Sequence, residues 1–68
     1  METLGDALPE EMARIRDVVI PAYREIGSAA SFALVFIRRD LDLAAKAMVE
    51  GDLSAMLTAY KALQQYKL

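Results

Sequence analysis

The 68-residue sequence has no cysteine, no histidine and no tryptophan. Without cysteine there is no disulfide, no thiol nucleophile and no thiolate for a metal. Without histidine there is no Ser-His pair, no imidazole acid–base chemistry and no Cys/His zinc site. No catalytic residue, metal ligand or cofactor is assigned. Glycines number three and prolines two, and the glycines are isolated turn residues, not a loop that cradles phosphate. The longest apolar run, Phe32 to Ile37, falls far short of the ~20 residues needed to span a bilayer. The opening Met1-Glu2-Thr3-Leu4-Gly5-Asp6 has neither the basic start nor the apolar stretch of a secretion signal. These absences predict a cytoplasmic protein with no membrane contact. The net charge of −2 argues against general binding to nucleic acid.

What the chain does have is apolar surface. Hydrophobic residues make up 56% of it, above the ~45–50% of an average soluble domain. One domain of this size buries only about 60% of the surface its unfolded chain exposes. With no disulfide or metal staple, association between copies is the remaining route to stability, so a homo-oligomer is expected.

The periodicity is helical throughout, and the expected fold is an all-α, small antiparallel bundle of three helices. Residues 1–8 read as an N-terminal tail and 9–68 as a single helical domain. Pro9 suits the first turn of a helix and Glu10 and Glu11 its positive end. Leu8, Met12, Ile15, Val19, Ala22 and Ile26 recur at alternating spacings of four and three, a continuous stripe. That stripe predicts one helix over 9–26, kinked at Pro21; a break at Ile20 is the alternative, since the residue before proline avoids the helical region. Gly27 closes this segment, and a second helix over 29–50 carries Ala30, Leu34, Ile37, Leu41, Ala44 and Met48 on its main face. Gly51-Asp52 is a stop followed by an N-cap, predicting a hairpin into a last helix from Leu53 to about Lys67.

Three groups of residues stand out. Phe32, Val35 and Phe36 lie on more than one side of a segment that outruns the last helix, so one neighbouring helix cannot cover them; they are read as a subunit interface at a two-fold or higher-order contact, against the plainer alternative of core packing. Asp40 falls inside the apolar arc and needs a partner if buried. The hairpin geometry offers Arg16 or Tyr60, giving a buried polar group of Asp40, Arg16 and Tyr60 with a structural role. Tyr23, Arg24, Arg38 and Arg39 could together hold an anion, although a charge run such as Arg38-Arg39-Asp40-Leu41-Asp42 is more commonly a solvated face.

Tyr23-Arg24-Glu25-Ile26-Gly27, an Ala/Phe-rich helix, and the Gly51-Asp52…Met56…Ala59-Tyr60…Leu63 ending together resemble small uncharacterised phage and prophage proteins over about two-thirds of the chain. The resemblance implies no catalytic residues and a viral accessory factor acting on a host protein, in defence or regulation. The functional expectation is a non-enzymatic, homo-oligomeric helical binding protein in the host cytoplasm. An oligomeric sponge for a small anionic nucleotide is the alternative.

Overall fold

The computed structural model describes residues 2–67; Met1 of the expected tail and Leu68 of the expected domain lie outside them. The protein is all-α, but not the expected bundle of three helices. Helical turns succeed one another from Leu4 to Glu50, 47 residues (α1), with no loop between them. The other helix among the described residues is Leu53–Gln64, 12 residues (α2). A straight helix of α1's length would reach about 70 Å at 1.5 Å per residue, whereas the longest dimension of the molecule is 36 Å. The chain therefore reverses inside α1. It does so at Gly27, whose φ of 86° and ψ of −148° only glycine tolerates well, followed by a 3-10 turn over Gly27–Ala30. No loop separates the two limbs, residues 4–26 and Ser31–Glu50, so the division expected there is a reversal at one glycine within a single helical run.

The first limb starts earlier than Pro9. Thr3 precedes the helix in an extended conformation, and the Asp6 carboxylate accepts from its hydroxyl at 3.0 Å and its N–H at 3.4 Å. This local cap begins the helix at Leu4 and brings Leu8 into the core with no exposed surface.

A wider turn stands just before Pro21, where the kink is expected. Residues Ile15–Val19 form a π-helical turn, and the Ile20 N–H reaches back five residues to the Ile15 carbonyl. Pro21 has no N–H and its ring crowds the carbonyl four residues back; the extra residue in the turn accommodates both. It also rotates everything that follows. Up to Val19 the buried face is the predicted one, with Leu8, Ile15 and Val19 wholly enclosed. Beyond it the inward positions are Ile20 and Tyr23, while Ile26, expected on the stripe, is 64% exposed.

The second limb of α1 lies against α2, and the start of the first limb lies across both. Gly51 takes the left-handed conformation (φ 66°, ψ 26°), and its N–H together with that of Asp52 closes on the Ala47 and Met48 carbonyls. Asp52 Oδ1 then caps α2 by accepting from the Ala55 N–H at 3.1 Å. Alanines 44, 47 and 59 at the helix–helix contact allow close approach, and Ile37 and Leu63 fill the space between. Arg14, held by Glu11, donates to the Leu63 carbonyl at 3.2 Å. It thereby places a cation at the negative end of α2.

A Cβ at either Gly27 or Gly51 would meet nothing within 4 Å, so substitution costs only backbone strain. Gly51→Ala is expected to lower stability by about 1–2 kcal/mol. Gly27→Ala should cost more, up to about 3 kcal/mol, because its ψ lies outside even the left-handed helical well. Urea denaturation of the two variants checks the order.

Candidate binding surface

Asp40 is the one buried charged side chain among the described residues, at 9% exposure. Its partner is neither Arg16 nor Tyr60. The Tyr66 hydroxyl donates to Asp40 Oδ2 at 2.6 Å, and Arg39 Nη2 stands 3.7 Å from Oδ1. Arg16 lies in the π-helical turn and is exposed. Tyr60 is half-buried against the core. Tyr66 sits about one turn past the residue level with Asp40. α2 ends at Gln64, and in the turn that follows, Tyr66 directs its phenol back to Asp40's level. The turn that carries it, with the Tyr66 N–H on the Leu63 carbonyl, replaces the last residues of the helix expected to reach about Lys67, so helical spacing alone carries no signal for this partner.

Burial is the main cause that pushes the Tyr66 phenol up to about 12 from its ordinary 10; the hydrogen bond to Asp40 and that carboxylate's charge add to it, and Arg39 opposes it. The Arg39 guanidinium also lies over the Phe36 ring, 5.2 Å from its centre. Of the four residues considered for an anion, Arg39 is thus engaged with Phe36 and Asp40, Tyr23 is packed against the core, and Arg24 and Arg38 are exposed. Among the described residues no group of three His, Cys, Asp or Glu is placed to hold a metal ion.

Phe32 is 81% exposed, Val35 64% and Phe36 49%; with Ile26 they make the reversal end of α1 apolar. An 18-residue window of α1 has a mean hydropathy of 1.2, enough by length and composition to cross a membrane. Ser31–Glu50 alone carries six charged residues and 4–26 eight, so the least charged stretch straddles Gly27 and is folded back on itself.

Further along the same outer face is an open groove of ≈ 650 Å³ between α1 and α2. Ala47, Ala55, Ala59 and Ala62 line it, and Leu43, which helical spacing sets beside the inward face, is 53% exposed and stands at its side. No family model matches the sequence, and no curated protein or solved structure is significantly similar to it.

Tyr66→Phe removes the hydroxyl from a buried carboxylate and should cost about 1–3 kcal/mol. Because folding raises the phenol's pKa, the stability it adds is complete below pH 10 and is lost as pH rises toward 12. The difference in unfolding free energy between wild type and Tyr66→Phe is therefore expected to shrink across that window in parallel urea titrations.

Proposed function

We propose that this chain is a non-enzymatic helical binding protein that self-associates and offers the apolar reversal end of α1 to another protein. The observation that carries this reading is the exposure of Ile26, Phe32 and Val35 together at one end of a small molecule. Apolar residues gathered in this way mark interaction surfaces, whereas scattered ones do not. Burying Phe32 on a partner would contribute roughly 1.5–3 kcal/mol, a large share of what a domain this small has to spare. Self-association is supported by total surface. A 7.5 kDa monomer is expected to expose about 4,200 Å², and this chain exposes 4643 Å². The resemblance to small phage proteins makes a bacterial host protein the intended target.

Phe32 and Val35 contribute little to the fold, so Phe32→Asp/Val35→Asp should keep wild-type helicity and melting behaviour. Immobilised wild-type protein should retain a reproducible partner from a bacterial lysate, and the double variant should not. Equal recovery on both columns would refute the assignment of this end as the binding surface.

A further inference from the structure

We infer that the groove between α1 and α2 is occupied by a second copy of this chain, in a two-fold dimer with the outer faces of Ser31–Glu50 antiparallel. The inference rests on the self-association proposed above and names its geometry.

The outer face of this limb carries Phe32, Phe36, Arg39, Leu43, Lys46 and Glu50 at spacings of four, three, four, three and four. This spacing holds all six on one stripe of the helix, three apolar and three charged. Its charges are ordered, with cations at Arg39 and Lys46 and anions at Glu50 and, in the turn, Asp52. All four line the groove. A two-fold contact is self-complementary, so each residue that meets another is met by it in turn. Antiparallel packing therefore sets the cationic stretch of each copy beside the anionic end of the other, twice.

One register satisfies charge and shape together. With Arg39 level with the partner's Glu50, Leu43 is level with the partner's Lys46. Leaning toward its own N-terminus, the Leu43 side chain then enters the partner's groove beside Ala47 and Ala55, where small residues leave room. Phe36 meets the turn that carries the partner's Leu53, itself 68% exposed in a single chain. Phe32 and Val35 reach past that turn and stay open, so the dimer leaves the reversal end free. Within one chain Arg39 and Glu50 cannot pair. Eleven residues separate them, about 16 Å along the helix. A standard interface takes ~800 Å² from each partner, roughly a sixth of this chain's surface.

Sedimentation equilibrium at low salt tests the register. Wild type should run at twice 7.5 kDa. Glu50→Arg and Arg39→Glu should each weaken the dimer about tenfold, since every reversal creates two like-charged contacts. The combined variant Arg39→Glu/Glu50→Arg should return to within a few-fold of wild type. Leu43→Glu should give folded monomers, and Phe32→Asp should leave the dimer intact. Leu43 is exposed, so its variant keeps the test decisive even where Arg39→Glu, beside Asp40, fails to fold. A wild-type dimer that Leu43→Glu leaves intact, or a folded charge swap as weak as its single variants, overturns the register while self-association stands. A wild-type monomer at micromolar concentration overturns both.

Discussion

Pro21 has no N–H to donate, and much of the arrangement follows from that deficit. An ordinary helix would force its ring against the carbonyl four residues back. The chain instead widens one turn, so that Ile20 bonds to Ile15 across five residues. One extra residue rotates the helix by about 100° relative to its earlier course. The rotation turns Ile20 and Tyr23 inward and Ile26 outward. A helix that kept its phase would have turned Ile26 to the same side as Ile15 and Val19. The exposure of Ile26, beside Phe32 and Val35 of the second limb, thus follows a backbone problem solved a turn and a half away.

Asp40 shows the same dependence from the other side. A carboxylate inside an apolar arc is costly unless its lone pairs are used, and among the described residues no buried side-chain polar atom lacks a hydrogen-bond partner. Its phenol comes from Tyr66, beyond the last residue of α2. That single bond ties the end of the chain to the middle of α1. Arg39, placed between Asp40 and the Phe36 ring, couples the buried bond to the outer face. The Arg39 side chain, 63% exposed, touches both the carboxylate and the aromatic ring, and it is this arginine that stands at the cationic end of the groove.

Composition and period were enough to read the all-α class, because no segment alternates as a strand does and every apolar stripe has helical spacing. The Gly51-Asp52 punctuation was legible too, since a left-handed glycine and a capping aspartate each have a strong local preference. The continuity of α1 was not. Gly27 reads as a stop in any sequence, and whether the residues after it form a loop or a 3-10 turn is decided by how the two limbs pack. The π-helical turn left no mark on a stripe whose next members, Ala22 and Ile26, were apolar themselves. Tyr23 is apolar enough to replace them, so both phases fitted the sequence. Arg16 is not the partner of Asp40 because it falls within the widened turn and is exposed there, and Tyr66 lies past the last residue of α2, where helical spacing no longer applies. The burial of Asp40 itself was readable, as it depended on the second limb alone.

The division of apolar residues between inside and outside sets what such a chain can do. Its fully enclosed large side chains are Leu8, Ile15, Val19, Ile37 and Leu63, and much of the remaining core is alanine and methionine. Alanines bring helices close but bury little area, so close packing here yields only modest hydrophobic stabilisation. Larger residues that could have enlarged the core, Phe32, Phe36, Leu43 and Leu57 among them, are placed outside. Moving two phenylalanines inward would stabilise a lone chain by several kcal/mol at roughly 1.5–3 each. A fold that forgoes this gain retains a sticky exterior and a marginal interior, and both properties favour a chain that completes its stability by binding. The cation–π contact of Arg39 with Phe36 moderates that exterior, placing a solvated charge over an aromatic face where unspecific contact would otherwise be easiest.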